Sequence, residues 1–276
     1  MLFAVPFYYL FHTRLVWWSE RISWFLINPL PIFALTLATG RQPTFALHMA
    51  FFVLGFVVWQ AIYEIGYIEN DAITTKRERE PTLRLTAEET AAVEGGLGRI
   101  VALRAAIAGL SMVALVWIAS HGDARVHLIW FALVLAISRT AFIAHNRIRA
   151  RFNVATFGVL SATKYLAVPV LMAANDDMML TVVSAIVMFP LLRTIEHATK
   201  NKFVFGRLKS FVGDFAIFRV KYYLTCFLAA CAIAMYFPQS DALLVAMILA
   251  YFLVYRLAVW GAVRLNIARA RRHSAY

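Results

Sequence analysis

Charge is what this sequence has least of. Only 15% of its 276 residues are charged and 62% are hydrophobic, giving a mean hydropathy of +0.70. A soluble domain of this length does not need so much apolar surface to fill its core. Cysteine is also scarce. Cys226 and Cys231 are the two present, five apart in an apolar run, so on a helix they point to different faces. That argues against a disulfide and for buried, reduced thiols. No polar linker, low-complexity tract or short repeat divides the chain, so residues 1–276 read as one integral-membrane domain. Soluble-enzyme motifs are missing too: no P-loop, no GxGxxG after a strand, no HExxH and no GxSxG.

Acidic residues are the next shortage, with 15 Asp and Glu against 27 Lys and Arg and a net charge of +12. In a soluble chain that balance would suggest nucleic acid. Here apolar runs of spanning length recur along the whole chain, and no nucleic-acid partner is expected. They fall near 23–40, 45–68, 100–119, 126–144, 154–174, 178–195, 216–237 and 241–263. The expectation is therefore an all-α, multi-pass transmembrane helical bundle of eight spans, or nine at most. Segment 1–18 is aromatic but interrupted by His12 and Arg14, which suits an interfacial amphipathic helix lying flat. It lacks the basic start and small-residue cleavage site of a signal peptide.

Basic residues are nearly absent from every second loop. Arg41, Arg125, the stretch 175–177 and the stretch 238–241 are nearly all the charge on one side. The other side carries Lys76, Arg77, Arg79, Arg84 and Arg99, then Arg147, Arg149 and Arg151, then Lys200, Lys202, Arg207 and Lys209, and a basic tail. The alternation keeps one phase through eight spans. By the positive-inside rule both termini and the basic loops face the cytoplasm, as in a bacterial inner-membrane protein.

The acids that are present gather at two helix ends. Spans two and six, four apart, both run into a basic loop, which suggests two four-helix halves with a site between them. In "YEIGYIENDAITTKREREPTLRL", Glu64, Asp71 and Glu78 are spaced by seven and share one face of a continuous helix. Asp71 and Glu78 would then stand roughly 10 Å apart, too far to share one Mg²⁺ directly and suited to two ends of a phosphorylated headgroup. Glu69, Asn70 and Thr74 flank them, and Arg77, Arg79 and Arg84 could grip phosphate oxygens. At the second end Arg193, Lys200 and Lys202 could complete a phosphate pocket. Glu196 and His197 could bind metal or move a proton. Asp214, at the start of span seven, has Arg219 and Lys221 as nearby partners. Glu64 lies one to two turns inside the membrane, where Arg104, Arg139, Lys164 and Arg256 are the available bases. Each could be a structural partner, a cavity-lining phosphate ligand or a snorkelling side chain, and Arg139 and Lys164 sit deeper.

The first stretch resembles the first motif of the UbiA superfamily of intramembrane prenyltransferases, Asn-Asp-x-x-Asp-x-x-x-Asp followed by a basic, proline-containing segment. Asn70 and Asp71 match the leading pair, Thr74 replaces the next Asp, Glu78 stands for the last, and Gly66 matches a common glycine. "EPTLRL" looks like the segment that follows. The family's second motif, after helix six, corresponds to "RTIEHATKNKF", where Glu196 is the one match and Lys200 replaces its partner acid.

The resemblance implies a transmembrane bundle with a cavity open to lipid. In it Mg²⁺ on Asp71, Glu78, Glu64 and Glu196 would hold an isoprenoid or polyprenyl (di)phosphate. The chemistry implied is prenyl transfer, or phosphoribosyl- or glycosyl-type transfer, with membrane lipids as the surroundings. Asp71→Asn would then abolish turnover without unfolding the chain. A non-catalytic lipid carrier or cell-envelope assembly subunit is the alternative. The acceptor, the isoprenoid chain length and the oligomeric state are not written in these residues.

Overall fold

The computed structural model describes residues 2–77, 82–122, 126–148, 151–238 and 241–265, apart from the side chains of Arg77 and Lys202. Among them there is no strand; Gly40 and Ala173 form one isolated antiparallel bridge. The chain opens with a 3₁₀ turn, Leu2–Ala4, and α1, Tyr8–Thr13. There follow α2 (Trp18–Ile27), α3 (Pro29–Thr39), α4 (Phe45–Glu69), α5 (Ala87–His121), α6 (Leu128–Arg147), α7 (Asn153–Met172), α8 (Met178–Met188), α9 (Pro190–Ala198), α10 (Gly206–Val212), α11 (Phe215–Tyr236) and α12 (Ala242–Arg264). Eight helical stretches are long and apolar enough to cross a bilayer, with α2–α3 and α8–α9 each counting as one. The chain is an all-α, multi-pass membrane protein.

The loops sort to two ends as their charge does. Arg41 reaches Asp177 at 3.1 Å and Asp241 at 2.6 Å, so three of the sparsely charged loops meet. The acid-and-arginine turns after α4 and α9 lie at the other end of their helices. An even number of spans returns both ends of the described chain to that basic end.

Two spans are broken, each by proline. Pro31 has no N–H to offer the carbonyl of Ile27. The Tyr165 hydroxyl donates to it instead at 2.6 Å, and Tyr251 donates to the Leu26 carbonyl at 2.8 Å. At the Phe189–Pro190 break, Tyr222 donates to the Val187 carbonyl at 2.6 Å and Tyr223 to the Met188 carbonyl at 2.7 Å. Inside a membrane a freed carbonyl must find a donor in the protein, and two tyrosines supply one at each break. Tyr165 also stacks on Phe189, with centroids 5.1 Å apart. Both breaks therefore meet α7 at one residue.

Residues 2–14 are not one flat helix. Tyr9 and Leu10 are buried, and the segment docks on α4 and α5. Phe7 adopts a left-handed backbone (φ 70°) that costs a non-glycine residue free energy. Its N–H donates to Glu64 Oε2 at 3.1 Å and its ring stacks on Phe56. The α5 helix begins at Ala87, well before the expected span near 100, because Thr86 and Glu89 form a reciprocal capping box. Asp214 caps α11 by accepting from the Ile217 N–H at 2.9 Å. The two cysteines are free as expected, but half-buried where full burial was expected.

Gly66 explains how closely α4 and α6 approach. A Cβ there would collide with the ring of Phe142, which packs edge-on against Tyr63 and Tyr67. Gly66→Ala should therefore destabilise the protein by about 1–3 kcal/mol. A melting curve in detergent that does not move would show that Phe142 can step aside.

Candidate functional site

The α4 helix does not continue as a regular helix to Glu78. It ends at Glu69, and Asn70–Thr74 form a π-helical turn followed by a 3₁₀ turn at Thr75–Arg77. Glu64 and Asp71 nonetheless both face the N-terminal segment, Glu64 toward Phe7 and Leu10 and Asp71 toward Tyr9 and Arg14. Turns of the π-helical kind occur frequently at functional sites. Glu78 and Arg79 lie outside the described residues, as do the side chains of Arg77 and Lys202.

Asp71 faces inward, its side chain 1% exposed. Arg14 Nη2 reaches both of its oxygens, at 3.0 and 2.8 Å, and Arg84 Nη1 lies 3.1 Å from Oδ1. The Tyr9 hydroxyl donates to Oδ2 at 2.8 Å and the Asn70 amide to Oδ1 at 3.0 Å. Burial, then the Asp71 charge, holds the Tyr9 hydroxyl far above its ordinary range, so it remains a donor. One carboxylate thus binds two guanidiniums, one from the N-terminal segment and one from the loop after α4.

The second end repeats the arrangement. Glu196, buried at the end of α9, accepts from Arg193 Nη1 at 2.7 Å and from Arg219 at 2.5 and 3.1 Å. Arg219 therefore serves Glu196 and not Asp214. His197 stacks on Phe157, centroids 3.9 Å apart, with Nε2 3.4 Å from Asn153 Oδ1. Lys200 lies in the turn beyond α9.

Other expected ligands have different partners. Arg139 forks onto Glu69 at 2.6 and 2.5 Å. Thr74 donates to the Glu69 carbonyl at 3.4 Å, so its hydroxyl serves the turn's own backbone. Glu64 pairs with Arg104 at 2.7 Å, both side chains fully buried. It also accepts from Gln60 and from the N–H groups of Phe7 and Leu10. Its oxygens are spent on holding the N-terminal segment.

Lys164 is the exception. It lies on α7, the most enclosed of the eight spans, between the buried Thr163 and Tyr165. Yet it is itself partly accessible. Among the described residues no carboxylate pairs with it. Its ammonium is within electrostatic reach of Arg193 and Arg14, one guanidinium from each clamp. Arg256, from α12, reaches Glu196 and Tyr165 in the same way. Among the described residues, the Nε atoms of Arg14 and Arg256 are buried without a hydrogen-bond partner, as are both amide atoms of Asn28 at the α2–α3 break. Such orphaned groups are uncommon in a native interior and call for a polar occupant.

Among the described residues, which leave out Glu78, the donor set is a poor fit to Mg²⁺. The ion asks for oxygens in near-octahedral geometry. Here the oxygens of Asp71, Glu69, Glu64 and Glu196 already accept from guanidinium groups, and fixed cations outnumber the acids. A second cation would be repelled, whereas an anion would find unspent N–H donors.

Arg14, Tyr9 and Arg219 were not among the site residues expected from sequence. Arg14 left a signal, a lone cation inside an aromatic run. Family models, curated proteins and solved structures were all compared with the chain, and none of them matches it.

Proposed function

We propose that this protein is a UbiA-like membrane transferase that takes an isoprenoid or polyprenyl (di)phosphate at its cytoplasmic end. Lys164 carries the reading: an ammonium without an acid partner among the described residues, on the most enclosed span, with an arginine from each half in reach. A phosphate carried on a lipid tail is the anion that this geometry suits. In the transfer, the C–O bond to phosphate breaks with its electron pair leaving on oxygen. The acceptor forms the new bond and its proton passes to the released phosphate. Lys164, Arg14 and Arg193 would stabilise the charge that develops on the departing phosphate.

A carrier that holds the same lipid without transferring it is the second reading. It is favoured by the commitment of Asp71 and Glu196, the acids beside Arg14 and Arg193, to arginine, which among the described residues leaves neither free to take the acceptor's proton.

Native mass spectrometry of the purified protein tests the shared part. Wild type should retain a prenyl or polyprenyl phosphate that Lys164→Gln loses. Bulk phospholipid alone, equal in both proteins, would end the reading. Release of inorganic diphosphate from added farnesyl diphosphate, in the presence of membrane extract, would separate the transferase from the carrier.

A further inference from the structure

Resting on that reading, we infer that the headgroup is neutralised by the protein's own cations and binds without a divalent metal. The argument begins with what the acids do. In a metal-bridged site, carboxylates face the ligand and bind it through the ion. Here Asp71 and Glu196 face guanidiniums instead. Asp71 accepts five hydrogen bonds, three of them from Arg14 and Arg84. Glu196 accepts three, from Arg193 and Arg219. Each acid is thus a clamp that fixes the direction of two cations.

Fixing an arginine in this way removes side-chain entropy before the ligand arrives. It also holds like charges together that would otherwise spread apart. Arg14 keeps its Nε unpartnered, and Lys164 keeps its three donors without an acid partner among the described residues. Between them a phosphate would meet donors from α7, α9 and the N-terminal segment. These cations carry charge of the sign and magnitude that a bound divalent ion would supply.

An anion-free site of this kind is self-repelling. Removing the Lys164 charge should therefore raise the melting temperature of the ligand-free protein by a few degrees, although it weakens binding. A site residue that destabilises the fold it sits in is a usual cost of function.

Farnesyl diphosphate is the probe for the test, titrated into lipid-depleted, detergent-solubilised protein in EDTA and in millimolar Mg²⁺, with binding read by fluorescence or thermophoresis. The expected result is binding in EDTA weaker than in Mg²⁺ by less than about tenfold, with Lys164→Gln and Arg193→Gln each losing about tenfold or more in both buffers. A loss of tenfold or more for wild type in EDTA would overturn the inference and leave the lipid-phosphate reading standing. Failure to bind in either buffer would overturn both. Wild-type affinity in the two variants would remove the charge from these residues and overturn the assignment. A melting temperature for Lys164→Gln at or above that of wild type checks that lost binding is not lost folding.

Discussion

Replacing Arg104 with methionine should cost this fold about 3–5 kcal/mol, because the substitution leaves a carboxylate buried without its countercharge. Glu64 and Arg104 are both fully buried and 2.7 Å apart. The Arg104 guanidinium also donates to the Phe3 carbonyl at 2.9 and 2.7 Å and to the Val5 carbonyl at 3.1 Å. From the other side, Glu64 accepts from the Phe7 and Leu10 N–H groups at 3.1 and 2.9 Å. The pair therefore holds both the carbonyls and the amides of the N-terminal segment. Its loss should lower the melting temperature in detergent by roughly 10 °C and open residues 2–14 to protease. The double variant Glu64→Gln with Arg104→Met should recover part of that loss, because the stranded charge is then gone. Equal melting of Arg104→Met and wild type would mean that water reaches Glu64.

The sequence made the helical architecture legible and concealed the pairings. Eight apolar runs and an unbroken alternation of basic loops give the span count, and Arg41 joining Asp177 and Asp241 fits that phasing. Run length and loop charge are local properties, so one sequence carries them. Partner choice is not local. Glu64 had four candidate bases, and its choice of Arg104 depends on a helix packing angle that periodicity does not encode. Arg14 and Asp71 are 57 residues apart, and the turn that brings them together includes a π-helical segment, which the register of α4 does not announce. The early start of α5 was readable. Thr86 and Glu89 are spaced as a capping box, although Gly95, Gly96 and Gly98 follow within the helix. Glycine in a helix interior costs only about 1 kcal/mol relative to alanine, and the cap helps to offset it.

Asp71→Asn separates the clamp from the metal ligand most sharply, and its effect should appear before any lipid is added. If Asp71 were chiefly a Mg²⁺ ligand, wild type and variant would melt alike in EDTA. As a clamp, the carboxylate holds Arg14 and Arg84 together and takes the Tyr9 hydroxyl. An amide in its place keeps one acceptor and turns an N–H group toward two guanidiniums. The expected loss is about 3 kcal/mol, seen in EDTA as well as in Mg²⁺. Arg14 is anchored at the far end of the segment that Glu64 holds, so the same variant should loosen residues 2–14 from their C-terminal side. Headgroup affinity should fall with it by about tenfold or more, because Arg14 loses its fixed direction. Arg14→Gln should produce a similar loss, and combining the two should add little further, as expected for residues that act as one unit. A variant that melts like wild type in EDTA, and that binds farnesyl diphosphate as wild type does in EDTA but more weakly than wild type in Mg²⁺, would contradict the clamp. Parallel losses of stability and affinity in both buffers would make the carboxylate at the end of α4 an organiser of cations.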